Sequence, residues 1–260
     1  MDITSHIVTT PPRDAATVIL LRDTEAGLEV FLMRRAEQSG VLGGAYVFPG
    51  GKLDEADLAH AERLLPTLDA EPYRHRLGEP TVSHALAVGL HLAAVREATE
   101  ECGVQLPLEA LVPWSRWITP RQASLMDQRF DTRFFVAALP DQQQAVHDNF
   151  ETTASEWMTP RAALCRYWAG EFAMAPPQIM SLVHLHRFGS VAQVLGHAQA
   201  HPTPTIEPEP FDEEGMRVIC YPGDPRHSQP VARLPGPTRL MFRRKRFEPP
   251  SGTLEELLNA

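Results

Sequence analysis

A long helix is predicted over residues 83–102, and any fold of this chain must accommodate the acidic C-terminal end of that helix. Gly103 follows at the usual C-terminal capping position. Glu97, Glu100 and Glu101 are crowded into the last turns, where the aligned backbone dipoles already place about half a negative charge. Acidic side chains are unfavourable there unless a positive group lies against them.

The two faces of this helix indicate how it packs. One stripe, at spacings of three and four, consists of Val88, Leu92, Val95, Thr99 and Cys102. The opposite side carries the three glutamates and, towards the N-terminus, Leu86, Leu90 and Ala93. We therefore expect the first turns to be covered on two sides and the acids to form a partly enclosed cluster. The alternative is an exposed acidic turn in which Arg96 merely pairs with Glu100.

Acids spaced like these three glutamates place their Cβ atoms about 5–6 Å apart, close enough to share a hard cation. Magnesium prefers carboxylate and water oxygens and usually completes its shell with substrate phosphates. Upstream, the FPGG segment at 48–51 allows the backbone to approach a ligand closely and supplies positive φ angles. The helix and the loop together predict a site for Mg²⁺ or Mn²⁺ and for phosphate groups.

Composition narrows the class of protein. Of the 260 residues, 43% are hydrophobic and 22% are charged, which is typical of a globular chain with a substantial core. The formal net charge of −9 argues against binding of nucleic acid or of an anionic membrane surface. Three scattered cysteines without metal-ligand spacing indicate reduced thiols, so we predict a cytoplasmic protein. We see no signal-peptide pattern and no apolar stretch long enough to cross a membrane.

The remaining segments predict a mixed α/β chain. Strands are predicted at 15–22, 28–35, 111–120 and 129–140 and in a small tail at 217–222 and 238–247; helices are predicted at 156–171, 176–188 and 190–200. Prolines divide residues 57–82 into short helices. We predict one domain over 1–200, with a helical insertion at about 58–82. A proline-rich connector and a C-terminal extension are predicted over 201–260.

Gly51, Asp57 and the segment 96–104 resemble the Nudix box, which ends in the pattern RE-x2-EE-x-G. Asp57 stands where the family has glutamate, and residues 58–95 replace a short spacer. The resemblance implies the Nudix fold, a mixed β-sheet sandwiched between helices. It also implies metal-dependent hydrolysis of a diphosphate linked to another moiety. A non-catalytic Nudix module that binds a nucleotide is the alternative, but all three helix acids are present, which favours the enzyme.

The long insertion is similar to the split box of the peroxisomal coenzyme A diphosphatases and their bacterial relatives. Three further segments resemble that branch: WITP at 117–120, RFDTRFFVAAL at 129–139 and PPQ at 176–178. Arg35 and FPGG match part of the wider coenzyme A signature, whereas Met33 and Gly40 depart from it. The resemblance implies coenzyme A or an acyl-CoA as substrate, with ADP-ribose, NADH and nucleotide sugars as alternatives. We expect the insertion to form a helical cap beside the substrate.

The resemblance also implies a role for each candidate residue. Glu97, Glu100 and Glu101 would hold the metal. The implied catalytic residues are Glu100, Glu101, Arg96 and Glu151, and the implied substrate-binding residues are Arg35, Phe48, Gly50 and Gly51. Glu151 resembles the downstream loop acid of several Nudix enzymes, with an ordinary surface glutamate as the alternative. The predicted partner is a small-molecule diphosphate, without nucleic acid or membrane, and a homodimer is an open alternative.

Overall fold

The computed structural model describes residues 7–37, 43–122, 128–148 and 152–259. Its strands are β1 (Arg13–Thr24), β2 (Gly27–Arg35), β3 (Tyr46–Val47), β4 (Gly50–Lys52), β5 (Val112–Ile118), β6 (Phe130–Ala138), β7 (Thr152–Met158), β8 (Thr205–Ile206), β9 (Glu209–Glu213), β10 (Met216–Cys220), β11 (Arg239–Arg243) and β12 (Arg246–Glu248). Its α-helices are α1 (Glu55–Leu64), α2 (Glu71–Leu77), α3 (His84–Cys102), α4 (Pro160–Ala169), α5 (Pro176–Leu185), α6 (Val191–Ala200) and α7 (Leu254–Leu258). The predicted mixed α/β class is confirmed.

Eight strands form the main sheet along the path β3-β2-β1-β6-β5-β8, with β4 on β1 and β7 on β2. The predicted hairpin is present, because β1 and β2 are antiparallel and Thr24 lies opposite Gly27. β1 pairs with β6 in parallel. The sheet is therefore mixed, as predicted.

The side chains of β1 alternate between two helical layers. Val18 shares a buried cluster with Leu90 of α3. Ile19 belongs to the cluster on the other face, with Leu164 of α4 and Ile179 of α5. Helices therefore cover both faces of the sheet, which confirms the sandwiched arrangement.

The predicted helical insertion packs against α3. Ala61 of α1 and Ala70, just before α2, are buried with Val88 of α3 in a small cluster. The carboxylate of Asp57 accepts a hydrogen bond at 3.0 Å from the backbone N–H of Asp54 and so caps the start of α1. The insertion is thus a helical layer on the back of α3.

A largely buried ion network fastens the end of the insertion to the sheet. Glu79, which follows α2, pairs with Arg116 of β5 at 3.0 Å and with Arg133 of β6 at 2.7 Å. Both arginines also pair with Asp131, at 2.6 and 3.3 Å. Asp14 of β1 completes the network through Arg133. The Glu79 side chain is only 9% exposed, so solvent screens these pairs weakly.

Replacing Glu79 with glutamine is expected to lower the free energy of unfolding by about 1–3 kcal/mol, because two guanidinium groups lose a charged hydrogen-bond partner. Urea unfolding followed by circular dichroism measures the change. Glu62→Gln, at an exposed position of α1, is the matched control and should stay within about 0.5 kcal/mol of the wild type. An unchanged urea midpoint for Glu79→Gln would show that the network does not stabilise the fold.

The sequence interpretation is wrong in part over residues 156–171, where one helix is predicted. β7 pairs with β2, and α4 begins only at Pro160. Trp157 of β7 packs on Phe31 of β2 with ring centroids 5.3 Å apart, so strand pairing overrides the local helical pattern. Thr159 then caps α4, and a proline in the first turn suits a helix start.

The C-terminal residues form a second, four-stranded antiparallel sheet in the order β12-β11-β10-β9. The connector predicted at 201–210 is only partly irregular, because β8 joins the main sheet beside β5. The Tyr167 hydroxyl of α4 accepts a hydrogen bond from the Phe247 N–H at 2.8 Å and donates to the Phe247 carbonyl at 2.9 Å. The strand-rich tail is confirmed, and the division into two parts at residue 200 stays a prediction.

None of the helices in the described ranges has the length and hydrophobicity that a membrane crossing requires.

Candidate metal and phosphate site

Local capping fixes both ends of α3. Ser83 accepts a hydrogen bond at 3.1 Å from the backbone N–H of Leu86 and so starts the helix. Gly103 ends it at a φ of 71°, a left-handed conformation that strains residues with a Cβ. The predicted bounds of this helix are confirmed.

The three acids at the end of α3 differ in exposure. Glu101 is buried, with only 6% of its surface exposed. The side chain of Glu97 is 13% exposed, whereas that of Glu100 is 58% exposed. The partly enclosed cluster is therefore present for Glu97 and Glu101 but not for Glu100. The predicted stripe is wrong at Thr99, which is exposed, because the helix meets the sheet through neighbouring positions such as Ala94.

Arg96 is the positive group that this helix end requires. Its guanidinium forms a two-point hydrogen bond with Asp57, at 3.1 and 3.0 Å. It also donates to Glu97 at 2.8 Å, to Glu100 at 3.0 Å and to the Lys52 carbonyl at 2.9 Å. Burial alone would lower the pKa of Arg96, but the hydrogen bond with Asp57 and the charge of Glu97 raise it above its ordinary value. The alternative in which Arg96 merely pairs with Glu100 is therefore wrong.

Two glycines bring the loop against the acids. Gly50 donates its backbone N–H to Glu101 at 2.8 Å. A Cβ at Gly51 would lie 2.2 Å from a carboxylate oxygen of Glu97, and a Cβ at Gly50 would lie 2.5 Å from the Thr17 hydroxyl. Glycine is required here for close approach. The expected positive φ is wrong for both glycines, because they belong to strand β4, paired with β1.

A cavity of about 670 Å³ opens beside these groups, and we call it the substrate cavity. Its lining includes Phe48, Gly50 and Gly51 of the loop; Arg96, Glu97 and Glu100 of α3; Trp117, Ile118, Thr119 and Pro120; Phe130, Thr132 and Phe134 of β6; and Pro176, Pro177 and Gln178 of α5. The segments WITP, RFDTRFF and PPQ, which are far apart in the sequence, therefore meet at the acidic helix end. The lining combines charged and polar groups with aromatic side chains, which gives the cavity the character of a site for an organic ligand.

Two lining side chains carry buried polar atoms that have no hydrogen-bond partner among the described residues. They are Nε of Arg35 and Oε1 of Gln178. Buried polar atoms are rarely left unpaired, so each marks a position where a ligand group would bind. A phosphate oxygen suits Arg35, and a hydrogen-bond donor suits Gln178. The sequence predicts Arg35, whereas Gln178 is recognised only as part of PPQ.

Some sequence expectations fall outside the substrate cavity. Glu151, the candidate general base, lies outside the described residues, as does Gly40. None of residues 58–82 is among the described residues that line the cavity, and a cap beside the substrate stays a prediction. The insertion packs on α3, and Asp57, the residue just before it, holds Arg96. The four predicted substrate-binding residues all line the cavity: Arg35, Phe48, Gly50 and Gly51.

Carboxylate oxygens are the donors that a hard divalent cation prefers, and the end of α3 supplies three carboxylates within about one turn. In the described part of the chain, no three or more His, Cys, Asp or Glu side chains converge on one metal position. Glu97 and Glu100 contact Arg96 instead, and Glu101 contacts Gly50. Mg²⁺ needs only one or two protein carboxylates when water and phosphate complete its shell. The cavity-lining Glu97 and the exposed Glu100 therefore fit a cation that binds together with a phosphate group.

Known proteins resemble this chain in sequence and fold. The family model of the NUDT19 Nudix domain matches residues 105–185. The acyl-coenzyme A diphosphatase NUDT19 of Gallus gallus is 26% identical, and the match covers 63% of this chain and 62% of the relative. The putative nudix hydrolase 7 of Caenorhabditis elegans is 23% identical over 230 residues, which cover 84% of this chain and 75% of the relative. A crystal structure of a NUDIX hydrolase from Alicyclobacillus acidocaldarius has a TM-score of 0.58 and 23% identity, covering 75% of this chain and 98% of that one.

These similarities agree with the geometry of the site. The chain spans 62% of the length of the chicken and Xenopus laevis NUDT19 proteins that it matches. The family match covers the segments from β5 to α5 that line the substrate cavity, and the solved structure shares the fold. Nudix hydrolases generally use divalent metal ions, which is the chemistry that the end of α3 fits. The chain is therefore similar to Nudix hydrolases in sequence and in fold.

Proposed function

We propose that this chain is a metal-dependent diphosphatase that hydrolyses the diphosphate of coenzyme A or an acyl-CoA. The products would be 3′,5′-ADP and a 4′-phosphopantetheine species. The observation that supports this best is the single cavity in which the acidic end of α3, the glycine loop and the three segments WITP, RFDTRFF and PPQ meet. The chicken, Xenopus and human NUDT19 relatives are named acyl-coenzyme A diphosphatases, which supports the same substrate class.

At the phosphate end, Glu97, Glu100 and Glu101 would hold Mg²⁺ or Mn²⁺. Such a cation neutralises the diphosphate and makes a bound water more acidic. Arg96 bridges the carboxylates of Glu97 and Glu100, offsets their mutual repulsion, and fixes α3 against β4 through the Lys52 carbonyl. The hydrogen bond from Gly50 to Glu101 holds the glycine loop at the same point. Glu151 stays our proposal for the general base.

Other lining residues suit the organic parts and the phosphate groups of the substrate. Trp117 and Phe130 supply aromatic surface for the adenine or the pantetheine arm. Lys52 and Arg35 supply positive charge for phosphate groups. A cavity of about 670 Å³ lies within the usual size range of sites for organic ligands.

Arg35→Gln is expected to raise KM for coenzyme A by about 10–100-fold with a smaller change in kcat, because a charged hydrogen bond made to the bound substrate is lost. Steady-state kinetics in saturating Mg²⁺ measures both constants. The matched control is Arg34→Gln, since the neighbouring Arg34 is exposed, pairs with Glu37 and does not line the cavity. Equal KM values for the two variants would remove Arg35 from the binding site.

A substrate panel tests the proposed function as a whole. The panel contains coenzyme A, an acyl-CoA, dephospho-CoA, ADP-ribose, NADH and a nucleotide sugar, each with Mg²⁺ or Mn²⁺. We expect the highest kcat/KM for coenzyme A or the acyl-CoA, and a lower value for dephospho-CoA, which lacks the 3′-phosphate. A much higher kcat/KM for ADP-ribose or for the nucleotide sugar would contradict the proposed substrate. Binding without turnover of any compound would favour the non-catalytic module.

A further inference from the structure

A second cavity, of about 740 Å³, shares no lining residue with the substrate cavity. Its walls are the C-terminal ends of α5 and α6, residues 113–114 of β5, residues 202–205 and the loop at 229–235. We call it the histidine cavity, because three of its lining residues are His184, His197 and His201. Neither the proposed hydrolysis nor the family match assigns it a role.

The three imidazoles form a column along one wall. His184 lies against the Trp114 ring at a centroid distance of 4.4 Å and 5.2 Å from the His197 ring. His197 stacks on His201 at 4.2 Å with an angle of 24° between the rings. Nδ1 of His184 is buried and has no hydrogen-bond partner among the described residues. The column therefore contains a polar atom that the protein itself leaves unpaired.

Two arginines add permanent positive charge to the same cavity. Arg187 and Arg233 line it, and their side chains form no hydrogen bond or ion pair with another described residue. No aspartate or glutamate occurs among the described lining residues, although the whole chain has a formal net charge of −9. The cavity thus collects cationic and potentially cationic groups without any negative group to balance them.

Burial and the nearby positive charges lower the pKa values of two of the three imidazoles. Burial, followed by the positive charges of His197, Arg187 and His201, lowers the pKa of His184 to about 3. Burial, followed by His201 and Arg187, also lowers the pKa of His197. The residues that β5 and β8 contribute to the cavity are uncharged. An anion bound among these groups would offset the mutual repulsion of their positive charges.

A metal ion bound jointly by the three histidines does not account for the arrangement of their rings. The stacked rings of His197 and His201 lie one above the other, so their nitrogen atoms do not converge on one point. One nitrogen of His201 is already within 2.9 Å of the His197 carbonyl oxygen. An anionic ligand fits the groups better than a cation.

We propose that the histidine cavity binds a phosphorylated small molecule at a site separate from the substrate cavity. The guanidinium groups of Arg187 and Arg233 donate hydrogen bonds to the phosphate oxygens. The imidazoles take up protons as the anion binds, because a nearby negative charge favours the protonated form. The volume leaves room for an organic part beside Phe188. Binding is accordingly tighter at lower pH, since proton uptake and anion binding are linked.

Isothermal titration calorimetry on the whole chain measures the affinity for inorganic pyrophosphate, the probe. EDTA is present, so that no divalent metal takes part in binding. Because pyrophosphate itself takes up a proton between pH 8 and pH 6, the pH dependence is measured with sulfate, which keeps its charge; we expect its Kd to be at least about threefold lower near pH 6 than near pH 8, where imidazoles are largely neutral. Arg187→Ala/Arg233→Ala should raise the Kd for pyrophosphate at least about tenfold, because two charged hydrogen-bond donors are lost. The control Arg63→Ala/Arg161→Ala makes the same change in net charge at exposed helix positions outside both cavities and should leave the Kd unchanged.

Histidine-labelled NMR locates the bound anion. In the wild type, pyrophosphate should raise the pKa of His197, and the shift should disappear in Arg187→Ala/Arg233→Ala. Equal pyrophosphate affinity in the wild type and in that variant, or no binding at either pH, would overturn the proposal. Tight Zn²⁺ binding that is abolished by His197→Ala would also overturn it, by assigning the cavity to a metal. The measurement involves no turnover, so its outcome is independent of the proposed diphosphatase activity.

Discussion

Glu101→Gln is expected to lower kcat for coenzyme A at least about 100-fold in saturating Mg²⁺, while the chain stays folded. Glutamine has nearly the same size and can still accept the hydrogen bond from Gly50, which is 2.8 Å long in the wild type. The substitution therefore preserves the contact between helix and loop. It removes a negative charge at a position that is only 6% exposed, where water screens charges weakly. The charge that would stabilise the cation at the reacting phosphates is then missing.

Initial rates and circular dichroism spectra of the purified variant test this expectation. Glu62→Gln is the matched control, because it makes the same chemical change on the exposed side of α1, away from the cavity. The control should retain the kcat of the wild type. A kcat for Glu101→Gln within about threefold of the wild type would contradict a role for Glu101 in charge stabilisation.

Arg96→Lys is expected to lower activity by about 10–100-fold and to raise the Mg²⁺ concentration needed for half-maximal activity, the usual result when a residue that orients metal ligands is lost. Lysine keeps the positive charge, but its single ammonium group cannot reproduce the planar, two-point contact with Asp57. It also cannot bond at the same time to Glu97, Glu100 and the Lys52 carbonyl. The carboxylates would then lose their fixed orientation.

A double-mutant cycle separates this positioning role from a general loss of stability. If Arg96 acts through Asp57, then Asp57→Asn should shift the Mg²⁺ dependence in the same direction, and the double variant should be little worse than the more impaired single variant. Chemical unfolding of each protein reports stability separately. Fully additive effects, or a wild-type Mg²⁺ dependence in Arg96→Lys, would show that the Arg96–Asp57 pair does not position the metal ligands.

The parts of the fold that depend on local signals are predictable from the sequence. The bounds of α3 follow from its periodicity, from Ser83 and from Gly103, each of which acts within one turn of the helix. β7 is missed because its pairing with β2 depends on Phe31, which lies over one hundred positions away from Trp157. Long-range pairing of this kind leaves no trace in a local pattern.

The candidate site likewise has parts that local sequence patterns predict and parts that depend on long-range contacts. The spacing of the three glutamates predicts a metal site from a single helix, whereas the contact of Arg96 with Asp57 requires α1 to pack against α3. The role of Gln178 emerges only where α5 meets the cavity. The histidine cavity is likewise invisible in the sequence, because His184 and His197 come from different helices that meet only in the folded chain.

Mn²⁺ binding, followed by electron paramagnetic resonance, tests directly whether the acidic end of α3 is a metal site. Free Mn²⁺ gives a strong signal that decreases on binding, so the titration yields a Kd without any assumption about the substrate. We expect Mn²⁺ to bind the wild type, and Glu100→Gln/Glu101→Gln to raise the Kd at least about tenfold, because two of the three carboxylates lose their charge. Equal Mn²⁺ affinity in the wild type and in the double variant would contradict the assignment of the metal site to these glutamates.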